Sequence, residues 1–193
     1  MNISENNPLP RWKRTLDVAV ILLALPIVLP LALVIGLVIR LVSTGPILFQ
    51  QERIGYRGRG FMCLKFRTMR CGAETATHQG HLQQLMKADV PMTKMDAAGD
   101  SRIIPLGRLL RSSGLDELPQ LVNVLKGEMS LVGPRPCLAY EAAQYLPWQR
   151  ERFNAAPGLT GLWQVSGKNP DPHVIFLKGK KTHFRRNFCI AMI

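Results

Sequence analysis

The sequence predicts an α/β fold, mainly helical with short strands, in which one small domain rides on an N-terminal membrane helix. Three observations carry that expectation. An uncharged apolar run extends from Val18 to Ile39, two short apolar and basic stretches flank a glycine-spaced loop after it, and Leu118, Leu121, Val122 and Leu125 follow helical spacing.

At ~1.5 Å per residue the apolar run would extend about 33 Å, enough to cross a hydrocarbon core. It exceeds the usual length of a signal-peptide core and lacks a small-residue cleavage site, so a retained anchor is expected. Pro26 and Pro30 lie inside it, and each removes an amide donor and obstructs the preceding turn, which predicts a kink. Basic residues flank both ends, with Arg11, Lys13 and Arg14 before and Arg40, Arg53, Arg57 and Arg59 after. The positive-inside tendency draws both flanks to the cytoplasm, which a helix bent at its proline satisfies by entering and leaving through one leaflet. At this level a spanning helix and a re-entrant helix both stay open.

Gly45-Pro46 then makes a turn, and Ile47-Leu48-Phe49 with Gln50-Gln51 reads as a short strand. Gly55, Gly58 and Gly60 space the basic loop Tyr56 to Arg59, and Phe61 to Met69 follows as the second arm of a hairpin. These glycines make no G-x-G-x-x-G fingerprint, so no dinucleotide fold is expected. Ala73 to Leu85 reads as helical and Pro91 to Ser101 as a polar connection. Ile104 to Arg111 has Pro105 near its start and Leu106, Leu109 and Leu110 on one face, a short amphipathic helix closed near Gly114. In the next helix Pro119 suits a first turn and Gly127 supplies the stop, which puts Asp116 and Glu117 at its N-terminus. Tyr140 to Phe153 is a third amphipathic candidate. Its Tyr145, Trp148 and Phe153 beside Arg150 and Arg152 suit either a membrane interface or the domain core.

With 193 residues, 47% of them apolar, the chain has room for one ordinary domain and an appendage. The net charge of +12 points to an anionic partner: nucleic acid, an anionic leaflet or a phosphorylated substrate. No helix-turn-helix, RNP-like or zinc-finger signature accompanies it, so no nucleic acid partner is expected. Cys63, Cys71, Cys137 and Cys189 have neither Cys-x-x-Cys spacing nor a histidine cluster, which argues against zinc or a disulfide framework and fits a reducing cytosol.

Adjacent carboxylates at a helix start have an ordinary reading as caps of free amides. The setting of Asp116 and Glu117 adds a chemical one. Arg108 and Arg111 precede them, Gly133-Pro134-Arg135-Pro136 follows as a rigid turn presenting a guanidinium, and Lys65 and Arg67 come from the hairpin. Together these suit phosphoryl-group transfer: one carboxylate attacks phosphorus, the other holds Mg²⁺, and the cations neutralise phosphate oxygens. Helix amides and arginines are expected to keep Asp116 ionised at neutral pH.

Several blocks, in order from about Lys13 to Asn169, resemble the bacterial sugar transferases, the monotopic phosphoglycosyl transferases. They are Lys13-Arg14-x-x-Asp17, the apolar run with Pro30, Gly45-Pro46 with Phe49-x-Gln51-x-Arg53-x-Gly55, and Lys65-Phe66-Arg67-Thr68-Met69. Leu115-Asp116-Glu117-Leu118-Pro119-Gln120-Leu121, Asn123 through Pro136, and Pro157-Gly158-Leu159-Thr160-Gly161-Leu162-Trp163-Gln164 complete them.

The resemblance implies a catalytic domain, residues 44–170, on a re-entrant helix within residues 1–43, followed by a basic, atypical tail at 171–193. It implies transfer of a sugar 1-phosphate from a UDP-sugar to undecaprenyl phosphate with release of UMP, at the cytoplasmic side of a bacterial inner membrane. Such a step begins exopolysaccharide, capsule, O-antigen or glycan assembly, and a homodimer is compatible with it. Asp116 would be the nucleophile that forms a phosphosugar-enzyme intermediate, and Glu117 the Mg²⁺ ligand. Lys65, Arg67, Arg111 and Arg135 would bind substrate, and Pro30 would break the membrane helix. Two departures are visible. Leu29 stands before Pro30 where many relatives have Ser, and from Pro172 the chain carries Lys178, Lys180, Lys181, Arg185 and Arg186 with no acidic residue, where relatives have an acidic Leu-Asp-x-x-Tyr pattern. The tail reads either as a damaged C-terminus, giving an impaired enzyme, or as a leaflet-binding element. A membrane-anchored binding protein is the rival class.

Overall fold

The computed structural model describes residues 9–70 and 102–161. The helix expected at Ala73 to Leu85, the connection Pro91 to Ser101, Leu162-Trp163-Gln164 and the basic tail lie outside the described residues.

The apolar run lies within a single helix, α1, Arg11–Val42, which contains both Pro26 and Pro30. It is long and apolar enough to cross a membrane, and most of its large side chains are exposed, Leu23 and Ile27 by 81% and 76%. A stripe is not. Lys13, Asp17 and Ile21 near its start, and Ile35, Gly36 and Ile39 near its end, are buried. Helical spacing of three and four puts these residues on one face.

The expected hairpin forms. Strand β1, Leu48–Ile54, pairs antiparallel with β2, Gly60–Phe66, through a 3₁₀ turn at Tyr56–Gly58. Helix α2 spans Gly107–Ser113, a 3₁₀ turn covers Leu115–Glu117, and α3 spans Gln120–Lys126 and closes at Gly127 with φ 83°, a left-handed angle that glycine adopts freely. Strand β3, Ser130–Val132, pairs parallel with β4, Gly158–Thr160, and the short helix α4, Ala139–Ala143, lies between them. The β3–β4 pair has no counterpart in the expectations above. It brings two glycines together: a Cβ on Gly158 would stand 2.0 Å from the Gly133 nitrogen, closer than any side chain permits.

Three helical expectations need correction. Helix α2 starts at Gly107 rather than Ile104, because Leu106 has left-handed φ 66° and stays exposed, leaving Leu110 as the buried leucine of that face. Helix α3 buries Gln120, Asn123 and Val124, while Val122 and Leu125 face outward at 43% and 40% exposure. Its buried face is set by a polar side chain, Asn123, that bonds to β2. The third amphipathic candidate is broken into α4 and a 3₁₀ segment, Gln149–Asn154, with Pro147, which lacks an amide donor, between them.

Among the described residues two apolar clusters hold the domain. In one, Ile35 and Ile39 pack with Phe66, Ile104 and Leu110; in the other, Ile21 packs with Val124 and Met129. Each contains residues of α1. Polar clamps reinforce both ends. Arg14 donates to the carbonyls of Val124 and Leu125 at the end of α3, and Arg67 donates to those of Ser43 and Thr44 at the end of α1. Unpaired carbonyls at a helix C-terminus attract such cations.

Beside Arg14 a buried relay joins α1 to β3. Lys13 Nζ donates to Ser130 Oγ at 2.5 Å and to Val132 O at 3.0 Å, and Ser130 Oγ donates to Asp17 Oδ2 at 2.7 Å. Asp17 and Ser130 are 1% and 0% exposed. Replacing Asp17 with Ala leaves the buried Ser130 hydroxyl without its acceptor, an expected loss of about 1–3 kcal/mol. Ser130→Ala removes the bridge and is expected to cost about 1–3 kcal/mol. Unfolding in detergent micelles measures both, and equal stability of Asp17→Ala and wild type would refute the role of the relay.

Candidate functional site

The carboxylates sit on a turn tighter than an α-helix. Glu117 N–H donates to Gly114 O, Leu118 N–H to Leu115 O and Val122 N–H to Pro119 O, all three-residue bonds, and α3 itself begins only at Gln120. Asp116 and Glu117 therefore precede the helix rather than occupy its first turn. Pro119 lacks an amide donor, and the chain enters the turn through a left-handed Gly114.

Strand β2 faces this turn. Lys65 Nζ lies 2.5 Å from Glu117 Oε1. Cys63 stands two residues earlier on the same face, opposite Gln51 of β1, and its buried thiol lies in the fields of Lys65, Arg53, Glu117 and Arg135. Burial pushes that thiol above its ordinary range, with the cations opposing. Arg111, from α2, acts on Asp116. The structure thus gathers Asp116, Glu117, Lys65 and Arg111 around the turn, with Arg135 sharing Cys63 as a neighbour.

Arg67 is not brought to this group. It is 4% exposed, and its guanidinium is directed at the exit of α1. Pro30 lies in the exposed middle of α1.

Arg53 is a residue whose place the motif reading passed over. It is buried, donates to Gln51 Oε1 at 2.6 Å and to Pro136 O at 3.3 Å, and so ties β1 to the Pro134-Arg135-Pro136 turn. Burial foremost, and then the like charge of Arg135, hold its pKa below the usual value. Arg152 supports the same turn, donating to Arg135 O at 2.8 Å and to the Tyr145 hydroxyl at 2.9 Å, while Tyr145 stacks on Phe153. The alternation Gln51-x-Arg53-x-Gly55 was the available signal for Arg53, since period two places Gln51 and Arg53 on one strand face.

Burial acts on the ionisation of Asp116 alongside the cations expected beside it. Burial raises its pKa above the ordinary 3.8, Lys65 lowers it, Glu117 raises it and Arg111 lowers it, with burial the largest effect. The net direction is upward, because the turn removes water from the carboxylate faster than the cations compensate.

The chain matches the family model described as bacterial sugar transferase over residues 9–184. It is 36% identical over 178 residues to the exopolysaccharide production protein ExoY of Sinorhizobium fredii, covering 92% of this chain and 78% of that protein. It is 41% identical over 175 residues to the UDP-glucose:undecaprenyl-phosphate glucose-1-phosphate transferase of Caulobacter vibrioides, covering 86% of this chain and 60% of that one. The undecaprenyl-phosphate galactose phosphotransferase of Salmonella typhimurium is 39% identical over 167 residues, which are 81% of this chain and 33% of that protein. The chain thus spans less than two thirds of the second and third of these relatives.

A raised folded-state pKa at Asp116 fixes the sign of its contribution to stability. Above that pKa the buried charge counts against folding; below the ordinary carboxylate value both states are protonated and the effect vanishes. Asp116→Asn is therefore expected to melt higher than wild type at pH 7, with the difference shrinking as pH falls toward 3.8. Thermal scans across pH measure this, and a lower melting temperature at pH 7 would contradict it.

Proposed function

Because the chain belongs to the bacterial sugar transferase family, we propose that it transfers a sugar 1-phosphate from a UDP-sugar to undecaprenyl phosphate, releasing UMP. The observation that carries this reading is the turn bearing Asp116 and Glu117, faced by Lys65 and Arg111. An Asp116 oxygen attacks the sugar-bearing phosphorus of the donor. The bond from that phosphorus to the oxygen bridging the two phosphates breaks, and UMP departs with the bridging oxygen. An oxygen of undecaprenyl phosphate then attacks the same phosphorus, and the bond to Asp116 breaks, restoring the carboxylate. Lys65, Arg111 and Arg135 neutralise phosphate charge as it is redistributed.

The residues fit a Mg²⁺ ion. Glu117 already directs an oxygen at a cation, the Lys65 ammonium, and Asp116 is adjacent in sequence. Among the described residues no group of three or more His, Cys, Asp or Glu side chains converges. A Mg²⁺ ion commonly takes one or two carboxylates and completes its shell with substrate phosphates and water. Glu117 would hold the ion, which would supply charge neutralisation to the donor diphosphate.

In this reading α1 is re-entrant and the domain sits at the cytoplasmic face of the inner membrane. Support comes from the packing of both helix ends on one domain: Lys13, Asp17 and Ile21 meet β3 and α3, while Ile35 and Ile39 meet β2 and α2. A straight crossing would put about 30 Å of hydrocarbon between those ends, where a domain with solvated loops cannot follow.

Membranes carrying the protein, given a panel of UDP-sugars, Mg²⁺ and undecaprenyl phosphate, are expected to release UMP with at least one sugar. Asp116→Asn should reduce the release by at least about a thousandfold while the protein stays folded. Substantial transfer by the folded variant would eliminate Asp116 as nucleophile.

For topology, single cysteines at Asn6 and Thr44 in a cysteine-free background are expected to resist a membrane-impermeant thiol reagent in intact cells and to react once the cells are opened. Labelling at Asn6 alone would show a crossing helix instead.

A further inference from the structure

We propose that Asn123 is a positioning residue that sets Lys65 against Glu117, an inference that rests on the roles given to those two residues above. Asn123 is fully buried, and its carboxamide spans the seam between α3 and β2. Its Oδ1 accepts from Leu64 N–H at 3.1 Å, and its Nδ2 donates to Met62 O at 2.8 Å and to Glu128 Oε2 at 2.6 Å. Strand β2 pairs with β1 along one edge. Along the other, Asn123 supplies an acceptor and a donor in the manner of a neighbouring strand, at Leu64 and Met62, one and three residues before Lys65.

The chemistry of the contact fixes its direction. A carboxamide has one acceptor oxygen and one two-proton donor nitrogen, and Glu128 offers only acceptor oxygens when ionised. The nitrogen must therefore face Glu128 and Met62 O, and the oxygen must face Leu64 N–H. Reversal would set oxygen against carboxylate and N–H against N–H. One orientation holds β2 against α3, and Lys65 and Glu117 lie on the two sides of that same seam, Lys65 directly after Leu64 and Glu117 on the turn leading into α3. Their 2.5 Å approach is the consequence. Aspartate at this position would present oxygen to both Met62 O and Glu128, and leucine would strand all three partners, so neither shape nor polarity alone substitutes.

The test uses the full chain in detergent or nanodiscs, and its first readout does not depend on turnover. Reductive methylation followed by peptide mass spectrometry reports how freely each lysine ammonium reacts. Lys13, 7% exposed and internally bonded, serves as the folding control. In Asn123→Asp, Lys65 is expected to react roughly threefold or more faster, approaching its rate in Glu117→Gln, with Lys13 still protected. The second readout is UMP release, where kcat is expected to fall about tenfold or more and the Mg²⁺ requirement to rise, since small misplacements of catalytic groups carry large rate losses. Asn123→Asp with Glu128→Gln restores a donor to the pair and should recover part of both effects. If Asn123→Asp does not fold, Asn123→Ser, too short to reach Met62 and Leu64 together, takes its place with the same expectations. Unchanged Lys65 reactivity, or unchanged kcat and Mg²⁺ requirement per folded molecule beside a lower melting temperature, would overturn the proposal and make Asn123 merely structural. Absence of UMP release from wild type would overturn the function instead, and the methylation rates would still decide whether Asn123 places Lys65.

Discussion

Both apolar cores of the domain are completed by the helix that carries the membrane signal. Of the eight buried apolar side chains in the two clusters, Ile21, Ile35 and Ile39 belong to α1. Deleting a buried Ile side chain costs about 2–5 kcal/mol, against a total stability of about 5–15 kcal/mol for an ordinary domain. Helix and domain are accordingly one folding unit. The arginine clamps follow the same logic. Arg14 reaches out of α1 to the end of α3, and Arg67 reaches from the hairpin back to the end of α1, so each junction is held by an apolar contact and a cation on open carbonyls.

Around that frame the site carries charged groups whose pKa values burial displaces. Asp116 is raised by burial, and Arg53 is lowered by burial and by its neighbour Arg135. Both are settled only in part by groups of the chain itself. A diphosphate would bring negative charge to the arginines, and the cations near the carboxylates would be shared with it, which relieves the like-charge contact at the Pro134-Arg135-Pro136 turn.

Much of the architecture was legible because it rests on patterns with a single physical meaning. An uncharged run of this length, a hairpin spaced by glycines and a helix stopped at Gly127 each follow from backbone and hydropathy rules, and Asp116, Glu117, Lys65 and Arg111 do converge. What escaped is set by contacts distant in sequence. Of the four residues whose spacing marked this helix, Leu118 and Leu121 pack against the two clusters, but an asparagine that satisfies the free edge of β2 turns Asn123 and Val124 inward and leaves Val122 and Leu125 exposed. Arg67 looked like a substrate cation because its neighbours do, and only the fold shows that α1 ends beside it. The β3–β4 pair is three residues to a strand and depends on Gly133 and Gly158 meeting across it, a contact invisible to local propensity. Leu106 breaks its helix through a left-handed angle that leucine rarely adopts.

The relay at the start of α1 also orders events in the life of the polypeptide. Lys13 leaves the ribosome 117 residues before Ser130, its partner. At common rates of synthesis that interval is about 6–25 s, far longer than a hydrophobic segment survives unattended in water. Ile21 likewise waits for Val124 and Met129, which are made almost as late, so the stripe of α1 that the finished domain covers has no partner in its own chain through most of synthesis.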